Sequence, residues 1–378
     1  LNGHGKILAG KKVSVTLNDK TEEYSASHII LATGARSREL PSLPQDGKKV
    51  IGYREAMTLP KQPKKLIVVG SGAIGIEFAY FYNAIGTEVT VVEYLPNIVP
   101  VEDEDISKQL EKSFKKAGIN IMTNSSVEAV DTKGKNCIVS IKTEKGEEKI
   151  ECDVVLSAVG IQANIENIGI EELGIIVDKG RILVNDYYQT NLPGYYAIGD
   201  IVPGPALAHV ASAEGIICVE KLAGHHPEPL NYGNIPGCTY CSPEIASVGM
   251  TEKAAKEAGY EVKIGKFPFS ASGKASAAGA KDGFVKLIFD AKYGDKMSSA
   301  LDITYRKPKS FGGSAYIGLL EQGLHVEGIA ANNKVSYIKC KNCDETFNSE
   351  IETGQVTHSV LPLAIVGVQS EDAIDQCS

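Results

Sequence analysis

The chain has 378 residues, 43% of them hydrophobic and 23% charged, and a net charge of −8, a composition able to bury cores in two or three domains. It shows no basic footprint for nucleic acid and no apolar run near the roughly 18 residues that a membrane span needs. The eight scattered cysteines read as reduced thiols of a cytoplasmic protein rather than a disulfide scaffold.

Taken in chain order, a strand is expected over 12–17 and another over 28–32, the second ending in the turn Thr33-Gly34. Pro41, Pro44 and Gly47 mark a loop, 50–60 a short helix, and Pro60 and Pro63 a linker. A βαβ pattern follows. Residues 66–69 form a short, wholly apolar strand of the type buried in a parallel sheet, 74–85 a helix, 88–93 a strand, 105–117 an amphipathic helix and 119–123 a strand. The alternation over 126–156 predicts an antiparallel meander, and 153–159 a closing strand. Residues 180–188 lead to a strand over 195–200 that ends in Gly199-Asp200, then to a helix over 208–222. From 235 to 290 short strands surround one helix at 251–258. Beyond Tyr293 the periodicity weakens, and the tail is left unassigned.

Gly70-Ser71-Gly72-Ala73-Ile74-Gly75 fits G-x-G-x-x-G. The pattern alone is weak; its place directly after an apolar strand and at the opening of a helix makes it specific. Gly70 permits the tight turn, Gly72 the approach of a pyrophosphate and Gly75 close packing of helix on strand, while free N–H groups of the first helical turn face the phosphates. Glu93 ends the next strand at about the spacing of the acid that holds the ribose hydroxyls of NAD, and no Arg follows to accept the extra phosphate of NADP. The strand turns at Thr33-Gly34-Ala35 and Gly199-Asp200 flank this unit, as expected if one nucleotide-binding domain is inserted in another.

Together with Asn2-Gly3-His4-Gly5-Lys6, Ala206-Leu207-Ala208-His209 and Pro243-Glu244-Ile245-Ala246-Ser247-Val248-Gly249, these residues resemble the pyridine-nucleotide disulfide oxidoreductases, in particular the dihydrolipoamide dehydrogenase branch. The resemblance runs over about 1–292. It implies an α/β architecture: a Rossmann-like NAD domain (57–180) inserted in a partial FAD domain of the same class (1–56 and the return segment 181–233), then an incomplete α+β dimer-interface domain (234–293), with 294–378 unassigned. It implies NAD contacts at Gly70, Ser71, Gly72, Ala73, Ile74, Gly75, Glu77, Glu93, Val127 and Gly160, with Glu77 near the nicotinamide. It places FAD beside Gly5, Thr33, Gly34 and Ala35, the ribityl chain on Asp200, and the isoalloxazine along Ala206, Leu207, Ala208 and His209. In the family, electrons pass from dihydrolipoamide to a cysteine pair, to FAD and to NAD. Its partners are lipoyl-bearing acyltransferase subunits of 2-oxo acid dehydrogenase complexes, and it forms homodimers.

The sequence departs from that pattern. It has no second G-x-G-x-x-G, no Cys-x-x-x-x-Cys pair and no His-Pro…Glu acid–base pair after Tyr293; the segment Gly160-Ile161-Gln162-Ala163-Asn164 lacks an Arg. Leu1 stands where a cut inside a longer protein would leave it. The expectation is an incomplete chain that retains NAD(H), holds half of a flavin site, lacks the lipoamide reaction and is a monomer or unstable dimer. A non-catalytic NAD(H)-binding module and a related flavin disulfide reductase or NADH oxidase are the alternatives. Cys238-Thr239-Tyr240-Cys241 reads as structural, His225-His226-Pro227-Glu228 as a solvated loop and 271–280 as a surface loop. Cys340-Lys341-Asn342-Cys343 has half the ligands of a zinc site, with His358 and Cys377 as irregularly spaced further candidates; free or oxidised thiols are the plainer reading, and no metal is expected.

Overall fold

The computed structural model describes residues 1–291 and five strands beyond them, Gly312–Ile317, Gln322–Ala330, Val335–Cys340, Thr346–Glu350 and Ala364–Gln369. The chain divides into two compact units, Leu1–Lys292 with Leu363–Ser378, and Tyr293–Pro362. The zinc candidates Cys343, His358 and Cys377 lie outside the described residues.

The centre of the first unit is a five-stranded sheet in the order Val50–Ile51, Val154–Ser157, Lys65–Val69, Glu88–Val92 and Asn120–Met122. Every pairing in it is parallel. Successive residues of Lys65–Val69 point to opposite faces, and both faces are covered. Leu66 and Val68 join Ile76, Ala79, Tyr82, Leu110 and Phe114 of the helices Ala73–Ala84 and Glu104–Lys116 in one core. Ile67 and Val69 pack on the other side against Cys137, Val139, Ile141 and Cys152 of the meander Ser126–Asp131, Cys137–Thr143, Gly146–Cys152. That two-sided burial is why the strand reads as a continuous apolar run. The second helix has a clear start signal, with Asp103 as its N-cap accepting from Asp105 N, acids in the first turn and lysines in the last.

A second core is assembled from distant segments. Ile29–Leu31 and Tyr195–Ala197 pair in parallel, with Tyr195 beside Ile29 and Ala197 beside Leu31. Ile7, Ile168, Ile170, Ile175 and Ile182 pack with them. A three-stranded antiparallel sheet of His4–Leu8, Lys12–Leu17 and Lys20–Ser25 belongs to this side. Ile161–Ala163 pairs with Ala35–Ser37 where the chain passes between the two cores, and Arg36 forks onto both oxygens of Glu166 at 2.9 and 3.0 Å.

A third sheet is antiparallel, in the order Gly237–Thr239, Glu244–Gly249, Ala364–Gln369, Phe284–Asp290 and Val262–Pro268. The strand Ala364–Gln369, from the tail left unassigned above, lies between two strands of the region 235–290. Lys286 of this sheet is 1% exposed and reaches Asp103 at 2.7 Å, Asp105 at 2.7 Å and Glu252 at 2.6 Å. Burial works to lower the Lys286 ammonium pKa, but the three carboxylates outweigh it and raise it. The charge cluster ties the start of Glu104–Lys116 to the third sheet. The region 271–280, expected as a loop, holds the short helix Gly273–Ala277, because Ser272 accepts from Ala275 N and supplies the cap.

In the second unit, Gly312–Ile317, Gln322–Ala330, Val335–Cys340 and Thr346–Glu350 form a four-stranded antiparallel sheet in chain order.

Candidate functional site

The strand Lys65–Val69 delivers Gly70 to the carboxyl edge of the parallel sheet, where ligand crevices of open α/β sheets form. Gly70 has φ +95°, a conformation that a side chain would strain. A Cβ there would also stand 2.4 Å from the carbonyl oxygen of Ala158. A Cβ on Gly75 would stand 2.0 Å from the carbonyl oxygen of Gly70, so the helix lies directly on the turn. Gly72 differs: it is the N-cap of Ala73–Ala84, without a side-chain cap, and a Cβ on it would meet nothing within 4 Å. The three glycines thus divide the work, two closing backbone on backbone and one leaving room.

That room opens into a cavity of about 1080 Å³ lined by Gly70, Ser71, Gly72, Ala73, Ile74, Glu93, Val127 and Gly160. Arg38, Tyr94, Leu95, Val101, Ser126 and Glu128 complete much of its wall, and Ala206 also faces it. Glu93 is buried at the end of Glu88–Val92 and holds the turn from below. One carboxylate oxygen accepts from Ser71 N at 2.8 Å and Ser71 Oγ at 2.6 Å, and the other from Leu95 N at 2.8 Å. Glu77 lies further along the helix, outside the cavity wall; its Oε1 accepts from Tyr240 N at 2.9 Å, and burial pushes its carboxyl up.

Of the remaining sequence-derived residues, Thr33, Gly34, Ala35 and Asp200 follow the carboxyl ends of the other parallel pair. Gly5 and Thr33 line a hollow of about 660 Å³ with Arg36, Asn164 and Glu166. Thr33 Oγ1 donates to Asn164 O at 2.5 Å, and Asn164 Nδ2 returns a bond to Thr33 O at 3.1 Å. Gly34 has φ +66° with open space at its Cβ position, and Ala35 is buried behind it. Asp200 sits in the short 3-10 turn Gly199–Ile201. Leu207 is the N-cap of Ala208–Leu222 and offers no side-chain cap, which leaves the first N–H groups of that helix free. His209 Nε2 lies 3.2 Å from Pro236 O.

Glu214 escaped the sequence reading. It is 1% exposed; Oε2 accepts from Gly199 N at 2.6 Å and Oε1 from Tyr232 OH at 2.6 Å, and burial pushes its carboxyl up. It fixes the turn that carries Asp200. The signal was an acid at the centre of the otherwise apolar buried stripe Val210, Glu214, Cys218, four residues apart on one helix face.

The cysteines at 238 and 241 lie off any helix start. Burial pushes the Cys238 thiol up to about 11 and raises that of Cys241 as well, with Glu77 and Glu244 adding to the effect. Both are poor nucleophiles. His225 and His226 are exposed beyond the end of Ala208–Leu222. No group of three or more candidate ligands for a metal ion occurs among the described residues. Among them, too, no helix is long and apolar enough to cross a membrane.

A glycine turn packed on a parallel sheet, opening on a crevice and flanked by a second parallel pair, defines an α/β protein of the dinucleotide-binding oxidoreductase class. The chain belongs to the pyridine nucleotide-disulphide oxidoreductase family: the family pattern matches residues 2–215, and that family's dimerisation domain matches 235–296. The dihydrolipoyl dehydrogenases in this family are NAD-dependent disulfide oxidoreductases that use FAD as well as NAD. The chain is 48% identical over 306 residues to a dihydrolipoyl dehydrogenase of Rhizobium etli and 46% identical over 297 residues to one of Zymomonas mobilis. Each match covers 78% of this chain and 64% of the relative, so the chain spans a little under two thirds of those proteins' length. Among solved structures it superposes on LpdA from Mycobacterium tuberculosis with a TM-score of 0.71 at 29% identity, over 77% of this chain and 65% of that one.

Proposed function

We propose that this chain is the pyridine-nucleotide-binding part of a dihydrolipoyl dehydrogenase-like flavoprotein, with NAD(H) lying across residues 70–75 in the 1080 Å³ cavity. The observation that carries the reading is the division among the glycines. Gly70 and Gly75 are closed against backbone, whereas the Cβ space of Gly72 is open at a helix N-terminus, a cradle suited to a pyrophosphate. Glu93 keeps the turn in shape and sets a carboxylate where a ribose would lie. Its charge disfavours the additional phosphate of NADP. Val127 and Gly160 line the same cavity, and Glu77, tethered to Tyr240, stands toward the nicotinamide end.

The residues at 33–35, Asp200 and 206–209 fit the ribityl and isoalloxazine end of FAD: an open glycine turn, a polar side chain on a 3-10 turn and an uncapped helix start. When bound, FAD supplies the two-electron relay between a disulfide and NAD. This chain's own residues would hold the nucleotide and orient its ring; the sequence has no Cys-x-x-x-x-Cys pair, and Cys238 and Cys241 are chemically quiet. The chain alone is therefore a nucleotide binder without the lipoamide reaction. Lipoyl-bearing acyltransferases are the partners this reading implies, and the match to a dimerisation domain supports assembly as a homodimer.

Fluorescence titration with NADH tests the central statement. Saturable binding, at least tenfold tighter than NADPH, is expected; equal affinity for the two, or none for either, sinks it. An absorbance spectrum of the purified chain decides the flavin half, since a visible flavin band would establish retention of FAD.

A further inference from the structure

Cys137 is the first residue of the middle strand of the meander, and Cys152 the last residue of the strand beside it; the two are direct cross-strand partners. Residues opposite one another in an antiparallel pair have Cα atoms about 4.5–5.5 Å apart, within the roughly 4.4–6.8 Å that a disulfide requires. Both side chains point into the same core, at 0% and 2% exposure, beside Val139, Ile141 and Val155. Cys137 Sγ donates to the carbonyl oxygens of Asp153 at 3.8 Å and Lys49 at 4.0 Å. Two thiols aligned by register in one core need only lose their protons and two electrons to be joined.

We propose that Cys137 and Cys152 are a redox-modification site, closing to a cross-strand disulfide when the protein meets a low-molecular-weight disulfide such as oxidised glutathione. The Cys137 thiolate attacks one sulfur of oxidised glutathione; a mixed disulfide forms, the glutathione S–S bond breaks and one glutathione leaves as thiolate. The departing glutathione thiolate takes the proton of Cys152, and the Cys152 thiolate so formed attacks Cys137 Sγ, forming the Cys137–Cys152 bond and expelling the second glutathione. The protein gives up two electrons and two protons, and one oxidised glutathione becomes two reduced ones. Cys137 is the better first nucleophile: Cys152 opposite it and the charge of Lys49 lower its thiol, whereas Cys137 and burial raise that of Cys152. Access comes from position. Cys137 opens its strand directly after the loop 132–136, with Cys152 opposite it at the end of the ladder, where pairing frays first. Cys238 and Cys241 stay reduced: Cys238 has Ala246 opposite it, and Cys241 lies beyond the strand pairing altogether.

The site sits one strand away from Ser126, Val127 and Glu128 of the cavity wall, yet needs no bound nucleotide. The test uses the full chain under native conditions. It is incubated with oxidised glutathione, remaining thiols are alkylated, and a digest is mapped by mass spectrometry. The expected product is a peptide pair joined through Cys137 and Cys152, with two fewer free thiols and a Tm raised by about 5 °C that dithiothreitol reverses. The proposal is overturned if both residues remain alkylatable, if either ends as a stable glutathione adduct, or if either pairs with another cysteine. In Cys152→Ala the reaction is expected to stop with glutathione on Cys137. The mapping of the unaltered chain stands even if that variant does not fold.

Discussion

The two parallel-strand regions of the first unit solve similar problems with different resources. Around 70–75 the strand, turn, helix and anchoring acid come from one continuous stretch, and the tightest contacts are backbone on backbone, with Ala158 as well as within the turn, together with short bonds to Glu93. At Ile29–Leu31 and Tyr195–Ala197 only two strands meet, from remote segments, and the turn between them is held by side chains: Glu214 on Gly199, Tyr232 on Glu214, and Asn164 on Thr33. A site made of backbone is fixed by which residues are absent, the missing Cβ atoms. One made of side chains is fixed by which residues are present.

The sharpest way to break this contrast is Gly75→Ala. The new methyl has nowhere to go against the Gly70 carbonyl, so a loss of about 3 kcal/mol is expected in a denaturant titration, with NADH affinity falling more than tenfold. If stability and binding are both retained, the turn is not held by backbone closure. Glu214→Ala attacks the other region. It removes the acceptor of the part-buried Gly199 N–H and leaves Tyr232 OH only its bond to Tyr188 OH, and a loss of about 2 kcal/mol is expected, with NADH affinity within twofold of the parent chain. A large fall in NADH affinity would mean that the two regions are not separately held.

Gly72→Ala separates room from closure within one turn. Its backbone has φ −66° and ψ 177°, which alanine adopts freely, so a thermal melt should register no more than about 0.5 kcal/mol. NADH affinity should nevertheless drop about tenfold as the methyl enters the cradle. The smallest effect concerns Arg36 and Glu166. Hydrogen bonding by Arg36 holds the Glu166 carboxyl down at about 2. A depressed carboxyl contributes stability above its ordinary value of 4.5 and loses it as pH falls through about 2. The pair is 44% exposed on both sides, so solvent screening keeps the effect modest. Glu166→Gln should lessen the fall of Tm between pH 5 and pH 2 by about a degree.

The same contrast explains what could be read in advance. The strand Lys65–Val69, the helix Ala73–Ala84 and the acid at 93 were legible because periodicity, glycine spacing and strand ends are local signals. The meander was legible from alternation alone. Glu214 was missed because its meaning depends on Gly199 and Tyr232, which no local pattern brings to it. Lys286 reads as an ordinary surface lysine until Asp103, Asp105 and Glu252 are seen to converge on it. Ala364–Gln369 was missed because its partners, Glu244–Gly249 and Phe284–Asp290, lie far back in the sequence.

The neighbouring strands Val50–Ile51 and Val154–Ser157, paired with Val50 beside Val155, carry a consequence for how the chain folds. They bring the chain into the parallel sheet and out of it side by side. Once that sheet forms, the long excursion between them no longer counts as a free loop. The search by which Ile29–Leu31 finds Tyr195–Ala197 is shortened to the lengths of chain outside it, and the entropy of closing the loop falls accordingly. The inserted unit thus acts as a clasp on the polypeptide: it can fold first from contiguous sequence, and by folding it hands its host two ends already held together.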